Sequence, residues 1–515
     1  MRPRALVTVA TVGLCVALPT AAGADWRPPE LRPAATTLAA VLAANAAATG
    51  TAAPRYANRY ERWTYRAGAR TLPVRVAVRG GDFRATVTVG AAEYAGGRTA
   101  GTRWRADADG VAHATWSDDQ GDAIDRLPQS IFPFDRADCA LAGESTRFGP
   151  AWVIVDRPPG DKPHWFYVDE STGLIAHEIT REGKRAVVTS FTAFETVDGV
   201  RRPSRWRVTD GDSANDLDVA VDDVAPQPVA ERDVAVPQTQ RLFVPSSPVA
   251  SGIVRLPATF DRERIYVDVV LDGRHGRFVL DTGTSSIIVN PARVARQPSG
   301  IVLEHAIVPE MSVGDLSLAN VSVLTVPLSI DRIDGLLGYD FFVGHVLHID
   351  YAGQRVEMMT PQAAASAFTD PRSIVIPASF DEGIPLVHAA FGPASGDRFA
   401  LDSGSQSLFA MTSFARRNAA EIAAHWSPAK FRSGRPTETV EYLEGPIAFS
   451  ARQVSTFTFG LGIFHDQIVG IEVPDERRGT IEIPLDGIIG TDHMAVYDWW
   501  FDYDGGRIAV RRNGR

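Results

Sequence analysis

Apolar and polar side chains alternate along much of the first half of the chain. Runs such as "RYERWTYRAG", "LPVRVAVRG", "DFRATVTVG" and "EYAGGRTAGTRWRADADG" follow one another, with glycine near the turns. A period of two puts one side of each run in a core and the other in water, so these runs predict strands joined as an antiparallel meander. "AWVIVDRP", "HWFYVDESTGLIAHEITREG", "KRAVVTSFTAFETVDGV" and "RPSRWRVTDG" continue it. Ahead of them Leu38, Val41 and Leu42 share one helical face after Thr36 or Thr37 as cap, which predicts a helix. The expectation is a curved antiparallel sheet wrapped on a helix.

Prolines 226, 228, 237, 245 and 248 then crowd one segment, which reads as an extended linker because proline cannot donate to a ladder. Beyond it the chain repeats itself. "DGLLGYDFFVGHVLHIDYAGQRVEM" (334–358) aligns without a gap to "DGIIGTDHMAVYDWWFDYDGGRIAV" (486–510), so that Gly338/Gly490, Asp340/Asp492, Asp350/Asp502, Tyr351/Tyr503 and Arg355/Arg507 are each 152 residues apart. Upstream, "FVLDTGTSSIIVN" (278–290) and "FALDSGSQSLFAM" (399–411) match, with their aspartates 121 apart. The second copy thus carries 31 more residues between its motifs, assigned to "ARRNAAEIAAHWSPAKFRSGRPTETVEYLEG", a helical piece followed by a polar loop. The expected domains are a leader at 1–24, a sheet domain at 25–235, a linker at 236–250, and two lobes at 251–368 and 369–515.

Length changes this picture little, since 515 residues suit several domains. A net charge of −10 without a dense basic run argues against nucleic acid or an anionic membrane surface as partner. The first residues combine Arg2 and Arg4, an apolar stretch from Ala5 to Leu18 and the small residues Ala22-Gly23-Ala24, the tripartite pattern of an export signal. The apolar stretch is shorter than the ~20 residues a membrane span needs. Cleavage after Ala24 is expected, which makes the mature chain periplasmic or extracellular, without a transmembrane segment and with Cys139 as its one cysteine. A lone cysteine gives no internal disulfide and is read as a small hydrophobe.

The candidate chemistry lies in the repeat. A carboxylate at the end of an apolar strand is costly to bury ionised, and less so when it shares a proton with a partner. Two such loops around an approximate two-fold axis bring Asp281 and Asp402 face to face, where like charges about 3 Å apart do not both ionise easily. Gly283 and Gly404 allow close approach. The hydroxyls of Thr282 and Ser403 are placed to cross-bond the loops, and those of Thr284 and Ser405 to reach their own carboxylates. The bland alternative is a pair of tight turns, for which Asp-Thr-Gly and Asp-Ser-Gly are also suited.

D-T-G and D-S-G, each after three apolar residues and each followed later by apolar-apolar-Gly ending at Gly338 and Gly490, resemble aspartic proteases of the retropepsin-like and pepsin-like group. The resemblance covers about 251–515. It implies a mainly β fold with a duplicated, bilobal β-barrel unit, Asp281 and Asp402 as catalytic pair, and Thr282, Gly283, Thr284, Ser403, Gly404 and Ser405 as loop support. It implies a peptide or protein substrate, no cofactor and no metal. Because one chain carries both copies, a monomeric unit from about 236 to 515 is expected to act alone. The glycine-rich flap tip of viral members has no clear counterpart in "GIVLEHAIVPEM"; Tyr442 is a candidate flap aromatic, but a half-buried strand tyrosine is the favoured reading of it. The order of turns in the first half, "VDESTGLI" then "FETVDGVRRP", resembles the periplasmic lipoprotein-carrier-like fold. Two other readings stand beside the protease: a protease-like shell that binds peptides without cutting, and a periplasmic carrier of lipid or lipoprotein.

Other candidates are weaker. His345 and His348 face opposite sides if the segment is a strand, "DADGVA" (107–112) reads as a hairpin turn, and "WSDDQGDAID" as a solvated acidic loop. Of Trp499 and Trp500, alternating in a strand, one ring is expected in the core. HExxH, GxSxG and Walker-type phosphate motifs are absent from the sequence.

Overall fold

The computed structural model describes residues 29–513 except 69, 90–91, 109, 116–138, 157–162, 183–184, 212, 214–215, 238–242, 262–263, 295–304, 326–327, 329–332, 443–444, 461 and 474–484. The expected leader, the acidic loop at 116–125 and the start of "GIVLEHAIVPEM" lie outside the described residues. The fold is mainly β, with large antiparallel sheets and few helices. Among the described residues no helix is long and apolar enough to cross a membrane.

The N-terminal helix spans Leu38–Thr49, and the Thr37 hydroxyl caps it by accepting from the Ala40 N–H at 3.3 Å. Val41 is fully buried, packed with Ile154, Phe166 and Val168 of the sheet. Among the described residues thirteen strands form that sheet, and sheet neighbours are sequence neighbours except at one seam. There Asn58–Ala67 pairs with Leu217–Pro226, joining the two arms of the meander. Along Asn58–Ala67 alternate residues are buried, so Trp63 and Tyr65 enter the core beside Trp206. Glu61 shares their face and is neutralised there, with Arg202 donating to both its oxygens at 2.7 and 2.6 Å.

The C-terminal half is built twice. In the first copy the hairpin of Ile265–Leu271 and Arg274–Leu280 runs into Asp281, with Gly335–Leu337 parallel to its second strand. In the second, Ile384–Phe391 and Ala394–Leu401 run into Asp402, with Gly487–Ile489 parallel to the latter. A six-stranded sheet joins the copies in the order Ile253–Arg255, Arg355–Met359, Val346–Asp350, Tyr497–Asp502, Arg507–Arg512, Ile374–Pro377. Its halves are equivalent, and His348 faces Trp500 at the central pair, where the pseudo-two-fold axis passes. One apolar core runs through both copies, from Phe278 and Phe341 to Phe399 and Trp499.

Three expectations change. The proline-rich stretch is tied down at both ends: Val229 and Val234 pack on Ala77, Phe243 sits in the C-terminal core, and Val244–Pro245 pairs with the strand Leu316–Thr325. Pro245 lies in an edge strand, where a missing N–H is tolerated. The 31-residue insertion is helical at Thr412–Arg417 and Ala419–His425 as expected, but its polar part forms the strand Thr437–Tyr442 on the long strand Gly445–Phe459. Both tryptophans are buried, because the central sheet is covered on both faces. Trp499 enters the main core, and Trp500 stacks on His348 at 4.3 Å, beside Ala364 and Ala367.

Candidate active site

Strand ends deliver the two triplets to one point. Leu280 and Leu401 are fully buried, and each next residue turns inward with its amide held by the glycine-motif strand: Asp281 N–H to Leu337 O at 3.0 Å, Asp402 N–H to Ile489 O at 3.1 Å. Both aspartates have no exposed surface. A β-carbon added to Gly283 would lie 2.5 Å from Asp402 Cγ, and one added to Gly404 would lie 2.5 Å from Asp281 Cγ. Each glycine therefore touches the opposite carboxyl group, an approach no other residue permits.

Four hydrogen bonds lace the loops together. The Thr282 N–H donates to Ser403 Oγ at 3.1 Å, and the Ser403 N–H to Thr282 Oγ1 at 3.0 Å. The hydroxyls donate onward, Thr282 Oγ1 to Leu401 O at 2.7 Å and Ser403 Oγ to Leu280 O at 2.8 Å. Each hydroxyl accepts and donates across the axis, so neither loop moves without the other. Within each loop the glycine amide donates to its own aspartate, Gly283 to Asp281 Oδ1 at 2.9 Å and Gly404 to Asp402 Oδ1 at 2.8 Å.

Thr284 and Ser405 do not act as expected. Their hydroxyls make no hydrogen bond among the described residues, and it is the Ser405 backbone N–H that reaches Asp402 Oδ1, at 3.0 Å. The turn points the amide, not the side chain, at the carboxylate. The carbonyls of these two residues are used instead: Thr284 O accepts from Tyr339 N–H and Ser405 O from Thr491 N–H, at 3.0 and 2.8 Å. Gly338 and Gly490 permit this, since a side chain at either would strike the carbonyls of 284 and 286 or of 405 and 406.

Burial pushes the Asp402 carboxyl well above the usual range, and Asp281 adds to this as a like charge and a hydrogen-bond partner. The amides of Gly404 and Ser405 pull the other way without prevailing. Such a pair titrates as a unit.

Some residues around the site were not expected there from the sequence. Arg264 is buried and its Nε donates to Gly404 O at 3.2 Å, bracing the Asp402 loop from the other copy. Tyr351 and Tyr503, equivalent by the repeat, are pushed up by burial, with Asp402 acting on the first and Tyr339 and Asp281 on the second. Asp107, expected as a turn residue, is indeed between two strands, yet it is buried with Arg105 and His113 against Asp340. The sequence offers no hint of that meeting beyond the repeat position of Asp340. His345 and His348 do not converge: His348 Nδ1 meets Glu357 at 2.8 Å, while His345 Nδ1 lies 3.2 Å from Val343 O in the preceding turn. Tyr442 ends the strand Thr437–Tyr442.

No family model matches the chain, and no curated protein matches it either. Among solved structures it is similar to a LolA-superfamily protein from Nitrosomonas europaea, at 14% identity over 39% of this chain and 98% of that one, with a TM-score of 0.30. An aspartic proteinase from Irpex lacteus aligns at 12% identity over 51% of this chain and 98% of that one, with a TM-score of 0.32. Conglutin gamma, a basic 7S globulin from lupine seeds, aligns at 8% identity over 51% and 95%, with a TM-score of 0.33.

Proposed function

We propose that the C-terminal half is an aspartic endopeptidase with Asp281 and Asp402 as its catalytic pair. One observation carries the reading: two equivalent D-[ST]-G loops meet so that each glycine rests on the other's carboxyl group. A turn-forming role needs one such loop, and neither its burial nor its partner. With one proton between them, the ionised carboxyl takes a proton from water as the oxygen attacks the peptide carbonyl carbon. The protonated carboxyl donates to the carbonyl oxygen. The C–N bond then breaks as nitrogen takes a proton, leaving an acid and an amine. The chemistry calls for no metal or organic cofactor.

Asp281→Asn and Asp402→Asn keep shape and remove a carboxylate. Each is expected to lower cleavage of denatured protein about a thousandfold or more, and the double variant to add little, because residues acting as a unit are not additive. A peptidic statine-type inhibitor should block the wild type. Substantial turnover by either single variant would sink the pair. A shell that only binds peptides would retain their affinity and show no cleavage in any variant.

The protein is also read as exported, on the charged, apolar and small-residue order of its first 24 residues. The mature chain is expected to start near Asp25. N-terminal sequencing that begins at Met1 would overturn this.

A further inference from the structure

Asp340 and Asp492, equivalent by the repeat, lie in the first turns of the short helices Tyr339–Phe342 and Thr491–Met494. Their backbone amides do the same work. Asp340 N–H donates to Ser285 O at 3.1 Å and Asp492 N–H to Gln406 O at 3.0 Å, next to the bonds that hold Thr284 and Ser405. The position of each helix therefore sets the position of a catalytic loop.

Both carboxylates receive a cation from outside the repeat. Asp492 meets Arg432 of the 31-residue insertion, NH2 to Oδ2 at 3.4 Å. Asp340 meets His113 of the N-terminal sheet, Oδ1 to Nε2 at 2.9 Å. The first pair is open to solvent, with the Arg432 side chain 81% exposed, while His113 has no exposed surface. Asp107 Oδ2 lies 3.5 Å from His113 Nε2, and Asp107 Oδ1 accepts from Arg105 at 2.9 Å. The Tyr339 ring meets the imidazole edge-on at 5.4 Å.

Charge decides what this cluster is. Burial and Arg105 work to strip the proton from His113, but Asp340 and Asp107 outweigh them and push it up to about 10. Two carboxylates, one guanidinium and one imidazolium then sum to neutrality. Ligand atoms of Asp107, His113 and Asp340 lie within 4.8 Å of one another, a spacing that also suits a divalent cation. With Arg105 already on Asp107, that ion would leave an uncompensated positive charge in the interior.

We infer that His113 is a positioning residue for the proposed hydrolysis: through Asp340 the N-terminal domain holds the helix that holds the Asp281 loop. The consequence for activity rests on the aspartic-protease reading; the consequence for the loop does not. It also revises the expectation that residues 236–515 act alone, since the first copy would lose the cation on its aspartate.

The full mature chain carrying His113→Gln tests this. Its kcat is expected to fall about ten- to a hundredfold with KM nearly unchanged, since a displaced loop misplaces the reacting groups. Hydrogen exchange at the Tyr339 and Asp340 amides should quicken. Adding Asp340→Asn should restore part of both, because a neutral amide needs no cation. Arg432→Gln, at a solvent-open pair that leaves folding intact, should show the same changes at Thr491 and Asp492 more weakly. Unchanged kcat and unchanged exchange in His113→Gln would overturn the inference. So would one metal ion per chain whose removal by EDTA reproduces the variant. If the wild type cleaves nothing, the protease reading fails, and exchange at Tyr339 and Asp340 still decides the role of His113.

Discussion

Asp402 and Glu61 are both buried carboxyls, and their neighbours send them in opposite directions. At Glu61 burial works to raise the pKa, but Arg202 and Arg59 outweigh it and the group ends below its usual value. At Asp402 burial and Asp281 act together and raise it. A carboxyl raised on folding contributes stability that is complete below its unfolded pKa, about 3.9, and is lost as pH rises through the folded value. At neutral pH the pair is therefore a destabilising element of the fold. Asp402→Asn removes that cost. It is expected to be about 1–2 kcal/mol more stable than wild type at pH 7, with the gap closing toward pH 4. Denaturant unfolding at the two pH values measures this. A variant clearly less stable at pH 7 would mean that the carboxylate holds the loop by its charge.

At the scale of elements, what the sequence made legible was local. Alternation in "RYERWTYRAG" marks a strand because one face of Asn58–Ala67 is buried, and Thr37 before Leu38 marks a helix because its hydroxyl satisfies a free amide. The triplets were readable because strand end, acid and glycine lie side by side in the chain, and the repeat showed that there were two. The unreadable features depend on what lies across from an element. Trp500 is buried because the short helices Pro361–Ala364 and Ala365–Phe368 cover the second face of its sheet. "TETVEY" is polar enough to pass for a loop, and becomes a strand because Gly445–Phe459 is long enough to offer it an edge. The hydroxyls of Thr284 and Ser405 pointed the wrong way in the expectation because spacing fixes which residue is near a carboxylate, not whether its amide or its side chain arrives. His113 alternates like any strand residue; only docking of its strand brings it against Tyr339 and Asp340.

For the whole molecule, that docking makes two halves of different architecture into one body, and its strength should depend on pH. The groups facing His113 are Arg105 and Asp107 from its own hairpin and Tyr339 and Asp340 from the C-terminal half. Its folded pKa near 10 exceeds the ordinary value of about 6.5. The stability it contributes is therefore complete below about 6.5 and lost as pH rises through about 10. Above that range the imidazolium is gone and Arg105 is the one cation left in the cluster with Asp107 and Asp340. Heating the full chain at pH 6.5 should give one cooperative unfolding transition. Toward pH 10 the transition should separate into two, with cleavage by added protease appearing first in the proline-rich segment around 226–250. His113→Gln should show two transitions already at pH 6.5 and little further change with pH. A wild type whose transition stays single and unshifted across the window would mean that the apolar contacts alone, Phe243 against Phe341 among them, keep the halves together.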